Sequence, residues 1–427
     1  MLFSEFEWPQ MQVGESTYYE LNCENRSWRK MNKSEGSKDE GLSFLPVFLP
    51  DETLYSLCAR FHYMSGNRLA STTSHQLFGA RDAAMLHDFP PNLSTFEART
   101  RGLLGNVTYL SHDRTLLKFY APYQPAERIS AGIEALAGAG IDRLKFRLGL
   151  PSSRIGAAHP LKACVKCIEE EIDTYGTAYW HLLHQHPAVW LCPEHGELLM
   201  RSTGKSRTLN KLQWVLPHTL GDDEWKSLPP RLNHQALLLT RLTKFAVGIL
   251  SSSKLELEPH SLRQSYLRGA KAAGWLTRTG NVRFRSMRQE FLRQAAALVD
   301  IPEFGFIESV NGSSGGFLAK LLRNPRSHLH PAKHFLVKAL LFEDWPSFLN
   351  CYNEMVEASY KPAKVPFSDP RADPRVDALL VLVAAGEKSL AQAARDLDLP
   401  YDVARYWLKR AGIVYVRPKR PSKSKMS

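Results

Sequence analysis

Two cysteine-bearing knuckles constrain this chain more than any other feature. Cys164-x-x-Cys167 and Cys192-Pro193-Glu194-His195-Gly196 stand twenty-four residues apart, and each sets two soft ligands one tight turn apart. Three thiolates and one imidazole make a closed tetrahedral set that suits one structural zinc ion. The predicted ligands are therefore Cys164, Cys167, Cys192 and His195, in a zinc-finger module over residues 159–200. His159, His181, His184 and His186 are spare imidazoles nearby, but the spacing of the second knuckle favours His195. A catalytic zinc keeps an open position and usually a glutamate base. Glu194 lies between two ligands, yet the His-x-Glu half of a deaminase signature is absent and four protein ligands leave no vacancy. Tyr175, Tyr179, Trp180 and Trp190 read as core around the knuckles.

Charge points to the class of partner. The 427 residues carry a formal charge of +12 and a pI near 9.3, the footprint of a protein that meets a polyanion. The surplus is uneven. Residues 261–300 hold eight Lys/Arg against two acids and residues 401–427 eight against one, whereas residues 1–42 hold eight acids and five bases. Clustering of this kind favours DNA. The longest apolar run, Ala378 to Ala385, falls far short of the about 20 residues a spanning helix needs. The opening residues, with Glu5 and Glu7, do not read as a secretory signal. Cys23, Cys58 and Cys351 are isolated, which predicts no disulfide framework and a reducing cytoplasm, with the nucleoid as the place of work. No Walker loop is present, so the chain is not expected to hydrolyse nucleotide itself, and neither a Gly-x-Ser-x-Gly elbow nor a His-Glu-x-x-His pair is found.

The patterning predicts a mainly α, multidomain protein: helix-turn-helix domains with a Cys3His zinc-finger module. Residues 1–42 are polar and aperiodic, a flexible extension. Residues 43–158 form an N-terminal helical domain. Asp51 is its first N-cap, followed by the stripe Leu54, Leu57, Cys58 and Phe61, a stop at Gly66 and a second helix from about Leu69 to Phe78. That pair is either a small helix-turn-helix or a plain helical hairpin. After the zinc module, residues 201–232 read as a linker and 233–365 as a basic helical DNA-binding region. Within it, a helix capped by Ser261 ends at Gly274. A hairpin turns at Thr279-Gly280, and Ser286 with Gln289 makes a capping box. Arg278, Arg283, Arg285 and Arg288 are candidate DNA contacts there. Arg323 and Arg326 follow on a helical stretch from Phe317 to Phe342, broken near Pro325 and Pro331.

Residues 366–415 have helix-turn-helix spacing. A helix from Asp377 stops at Gly386, Ser389 and Gln392 make another capping box, and Asp398-Leu399-Pro400 is the turn. Leu390, Ala393, Ala394 and Leu397 face inward, as do Val403, Trp407 and Leu408 on the last helix. Tyr401, Asp402 and Arg405 are placed to reach base edges. Lys409, Arg410 and the basic tail over 416–427 are placed to meet phosphates.

Several segments are distinctive beyond their chemistry. They are His159-Pro160-Leu161-Lys162-Ala163-Cys164-Val165-Lys166-Cys167, Asp173 to Trp180, and His184 through Leu199, with Pro50 to Arg60, Phe119-Tyr120-Ala121-Pro122 and Leu148 to Arg154 upstream. Together they resemble the TniQ/TnsD family, target-selection proteins of heteromeric bacterial transposons. The resemblance is close over residues 44–200, looser over 201–345 and weak beyond, and the long C-terminal half favours the TnsD type. It implies an adaptor, not an enzyme, that binds double-stranded DNA at a specific chromosomal attachment site through its C-terminal half. Its N-terminal half would recruit an AAA+ ATPase regulator and, through it, the transposase. The alternatives are a TniQ adaptor docked on an RNA-guided CRISPR complex, a zinc-containing transcription regulator that recruits no ATPase, and a zinc hydrolase or deaminase.

Overall fold

The computed structural model describes residues 42–138, 144–155, 159–204, 210–252, 255–311, 316–323, 329–360, 374–384 and 388–410. Residues 1–41 of the extension expected over 1–42, Arg326 and the tail over 416–427 lie outside them, as do the side chains of Lys409 and Arg410. The fold is mainly helical. Among the described residues the strands form a three-stranded antiparallel ribbon of β1 (Lys162–Ala163), β2 (Met200–Ser202) and β3 (Trp225–Lys226), with β2 central. Lys162 pairs with Arg201, and Arg201 with Lys226. No described helix is long and apolar enough to cross a membrane. The described residues up to Val356 pack as one compact unit, and those from Glu357 as a second.

In the first unit one hydrophobic core runs from Leu42 to Tyr352. The Leu54–Ser65 helix opens it and stops at Gly66, whose φ of +67° is a left-handed conformation that suits glycine. Its N-cap is Thr53, whose side chain accepts from the Ser56 amide, and not Asp51 as the sequence suggests. Asp51 is used elsewhere: its carboxylate accepts from the Leu183 amide at 2.9 Å and its carbonyl from Leu182. The same junction places the Thr53 amide on the Trp180 carbonyl and the Trp180 amide on Ser56 Oγ at 2.9 Å. The start of the first helix is thus fastened to the segment between the two knuckles.

Residues 210–232, expected as a linker, are part of the core. Trp214, Val215 and Leu216 are buried. The Trp214 indole donates to the Ala70 carbonyl, the Trp180 indole to the Val215 carbonyl, and the Tyr55 hydroxyl meets both Gln213 and Val215. Proline and glycine there shape turns in a strap whose Gln213, Trp214 and Val215 backbone groups bond the core, where a free linker would leave them to water.

One helix joins the two halves of this unit. Pro331–Leu341 is buried on all sides. From it Lys333 donates to the Ser153 carbonyl at 2.6 Å and Lys338 to the Tyr123 hydroxyl at 2.8 Å. His330, just before it, accepts from the Ala332 amide with Nδ1, so its Nε2–H donates to Tyr120 Oη at 2.8 Å. Tyr120 then donates to His159 Nε2 at 2.8 Å, and His159 Nδ1–H donates to Asp88, also held by Lys145. Burial works against the Asp88 carboxylate, but His159 and Lys145 outweigh it and hold the group well below the usual range. Every proton in this chain has one direction. Tyr120→Phe orphans the His159 acceptor and the His330 donor together. It should cost about 1–3 kcal/mol for each group left unpaired, read as a lower urea midpoint at unchanged slope.

The basic stretch beyond the strap follows the expected order with shifted caps. The Pro259–Ala272 helix is capped by Glu258, which accepts from the His260 and Ser261 amides, so Ser261 lies inside the first turn. The hairpin is present: Leu276 bridges Val282, and Gly280 turns it at φ +80°. The next helix begins at Phe284 with Arg283 as N-cap, so Ser286 does not cap it. Separate helices, Gly316–Leu322 and Pro331–Leu341, stand where an interrupted helical stretch is expected.

Among the described residues of the second unit, the helices Pro374–Ala384, Leu390–Asp396 and Tyr401–Arg410 pack around Leu379, Leu390, Ala393, Ala394, Ala404 and Leu408. Ser389 caps the middle helix, accepting from the Gln392 amide. Asp398 turns the chain at φ +51°. On the last helix Ala404, and not Val403, joins Trp407 and Leu408 on the packed face.

Candidate metal centre

The first knuckle is a helix start. Cys164 is the extended N-cap of Val165–Tyr175, and Cys167 sits in its first turn. The second knuckle is a tight loop. The Gly196 amide bonds the Cys192 carbonyl, the Cys192 amide bonds the Glu197 carbonyl, and Gly196 takes φ +64°. Both loops close on one point. His195 Nδ1 lies 3.6 Å from Cys164 Sγ, 3.4 Å from Cys167 Sγ and 3.6 Å from Cys192 Sγ, and Cys167 Sγ is 3.7 Å from Cys192 Sγ. A tetrahedral ion with bonds of about 2.0–2.3 Å needs ligand atoms about 3.6–3.8 Å apart, so the four side chains can hold a metal ion.

The surroundings orient the ligands. His195 Nε2 lies 3.0 Å from Glu170 Oε1, which fixes the Nε2–H tautomer and leaves the Nδ1 lone pair aimed at the sulfurs. Burial opposes a charge on His195, and Glu170 outweighs it, raising the imidazole above its ordinary value. The Cys164 thiol is held well below its ordinary value by hydrogen bonds from Cys167 and Cys192.

The spare imidazoles have other work. His159 belongs to the Tyr120 chain, and His186 Nδ1 accepts from the Ala188 amide. His181 donates to Glu171 at 2.5 Å, and with Cys167 forms a second, smaller donor group. Trp180 and Trp190 are buried, whereas Tyr175 is 44% exposed. Glu170 is the functional residue that reading the sequence misses. It stands in an acidic run on an amphipathic helix, which by itself reads as a solvated face.

The candidate DNA contacts fall in both units. Arg278, Arg283 and Arg285 are exposed along the hairpin and the start of the Phe284–Ala295 helix, with Arg288 half-buried on it. Arg323 is brought to them, its guanidinium 5.3 Å from the Phe284 ring centroid. In the second unit Tyr401, Asp402 and Arg405 are exposed at the start of the last helix.

Comparison with known proteins agrees with this architecture. The TniQ family model matches residues 43–199, which take in both knuckles and the helices fastened to them. The family model for Tn7-like transposition protein D matches residues 242–369. Together with one curated relative, these matches support a TnsD-type protein of the TniQ family. The chain is 26% identical over 267 residues to the transposon Tn7 transposition protein TnsD of Escherichia coli. That match covers 60% of this chain and 50% of the relative, so the chain spans about half the length of the curated relative it matches.

Proposed function

We propose that this protein selects the target site for DNA transposition: it binds a specific chromosomal sequence and recruits an AAA+ ATPase regulator, and through it the transposase. The succession of a TniQ match and a Tn7-like transposition protein D match in one chain carries this reading. The chain converts binding energy into location and makes or breaks no bond itself. Its Cys3His centre holds one structural zinc: all four ligands come from the protein, which leaves no open position for substrate.

Recognition is divided. The three C-terminal helices act as a helix-turn-helix, with Arg405 exposed near the start of the last helix, the end that enters a major groove. Arg283, Arg285 and Arg323 present a second cationic surface to the same DNA. The ATPase regulator docks on the TniQ half. A fragment ending at Met200 would lose Trp214 and the strap from its core, so docking is tested on the full chain with surface substitutions.

The decisive experiment retains genomic fragments on the immobilised full-length protein and sequences them. One enriched site is expected, with Arg405→Ala relaxing preference at one or two base pairs by roughly 1–3 kcal/mol. Retention without any enriched sequence, or equal binding by a chain ended at Val356, would remove the C-terminal helices from recognition.

A further inference from the structure

A cavity of about 610 Å3 lies in the first unit, between the Ala126–Ala137 and Leu144–Arg147 helices on one side and Pro259–Ala272 and Gly316–Leu322 on the other. That volume is in the range of small-molecule sites. Four of its lining side chains are cations from four separate elements: Arg128, Arg147, Arg263 and Lys320. No carboxylate is among its lining residues, and none of the described residues forms an ion pair with any of the four. Elsewhere in the same unit arginines are matched: Arg60 with Glu52, Arg201 with Glu303 and Arg268 with Glu354.

Among the described residues, three of the four cations are held by neutral acceptors. Arg128 donates to Gln124 Oε1 at 2.7 Å, Arg263 to the Leu322 carbonyl at 3.0 Å, and Arg147 makes a long 3.4 Å contact to the Ala131 carbonyl. The positive field reaches further. Lys333, on the joining helix, is pushed down to about 8, first by burial and then by Lys320 and Arg154. A partly enclosed site with this much unbalanced charge favours an anion, and guanidinium forks match phosphate oxygens in pairs. The site is more than an anion hole. Leu257, Leu262 and Leu321 give it an apolar wall, and Phe146 stands on its lining 72% exposed. An uncovered ring beside cations is the arrangement on which a base stacks.

We propose that this cavity is a nucleotide site: Arg128, Arg147, Arg263 and Lys320 grip the phosphate and Phe146 stacks on the base. The shared ligand chemistry is a nucleoside phosphate, supplied either free or as an unpaired nucleotide of a DNA strand. This goes beyond duplex site selection, because each can hold with the other absent.

The test titrates the full-length protein at fixed salt with adenosine 5′-monophosphate, a short 5′-phosphorylated oligothymidylate and inorganic phosphate. Saturable binding of at least one nucleotide probe is expected. Lys320→Glu and Arg263→Glu should each weaken it at least about tenfold. Arg81→Glu, at an exposed cation that does not line the cavity, should leave it within about twofold. Phe146→Ala should weaken nucleotide binding about fivefold or more while leaving inorganic phosphate unchanged, the signature of lost stacking. Binding of the mononucleotide assigns a free effector, and binding of the oligonucleotide alone assigns a strand. Lys320 is exposed, so its variant keeps the test open if Arg263→Glu does not fold. No saturable binding by either nucleotide, or equal loss in Arg81→Glu and Lys320→Glu, overturns the site. Genomic-fragment retention measured in parallel separates the two claims: losing only the enriched duplex defeats target selection, and losing only the nucleotide defeats the cavity.

Discussion

Cys192→Ser, or prolonged chelation of the wild-type chain, should abolish cooperative unfolding of the first unit. The metal centre is not an appendage. The knuckle that carries Cys192 continues a buried run, Ala188 to Leu191, and the Leu191 carbonyl accepts from Thr243 Oγ1 at 3.1 Å on the Ala236–Leu250 helix. Trp190 lies in the same run, its ring centroid 4.2 Å from the buried Lys162 ammonium. β1 of the ribbon leads directly into the other knuckle at Cys164. Binding of structural zinc is worth about 10–16 kcal/mol in small zinc modules, as much as the whole stability of a typical domain. Elemental analysis should find one zinc per chain, and the Cys192→Ser protein should be insoluble or melt without a sharp transition. Glu170→Ala keeps all four ligands but frees the His195 ring, and should lower zinc affinity about 10–100-fold with the fold intact at saturating metal. Purified wild-type protein that holds no metal and melts at the same temperature with and without chelator would end the structural role.

What could be read from the sequence divides along physical lines. The knuckles are local: two ligands one turn apart announce themselves, and the loop closure at Gly196 follows from its spacing. The identity of the first N-cap is not local. Asp51 and Thr53 are both good caps, and the choice is made by the Leu183 amide, 132 residues away, which claims the Asp51 carboxylate. The strap at Trp214 has the composition of a loop. Its burial depends on indole partners at Ala70 and Val215 that periodicity cannot see. The cationic cavity gathers residues 128, 147, 263 and 320, each unremarkable within its own helix. Ala404 for Val403 is an error of one position on a short helix, where a small residue packs against Leu379 and Leu390 and the branched one is left half-buried.

The last expectation is a steep loss of stability between pH 6.5 and 5. His184, His186 and His330 are buried, and burial pushes each well below its ordinary value of 6.5. Their geometry makes them neutral. His186 Nδ1 accepts from the Ala188 amide and its Nε2 meets no donor or acceptor among the described residues, while its ring packs 4.4 Å from both Phe119 and Phe335. His330 accepts from the Ala332 amide, and His184 Nδ1 is buried without a partner. A proton on any of them would add a buried charge that burial and neighbouring cationic groups oppose. The unfolded chain takes those three protons below pH 6.5 and the folded chain does not, so acid favours unfolding. Asp51, raised to about 6 by burial, opposes this, as do the raised Glu52 and His181, whereas burial lowers His62 and His218 and adds to it. Each proton of net difference is worth about 1.4 kcal/mol per pH unit. Urea unfolding at a series of pH values between 7 and 5 measures the slope. His186→Phe fills the same slot between Phe119 and Phe335 and removes one titrating ring. Whatever it does to absolute stability, it should lower the slope by about 1.4 kcal/mol per pH unit. A stability curve that is flat from pH 7 to 5, or an unchanged slope in His186→Phe, would show that these rings are already charged, or already solvated, in the folded protein.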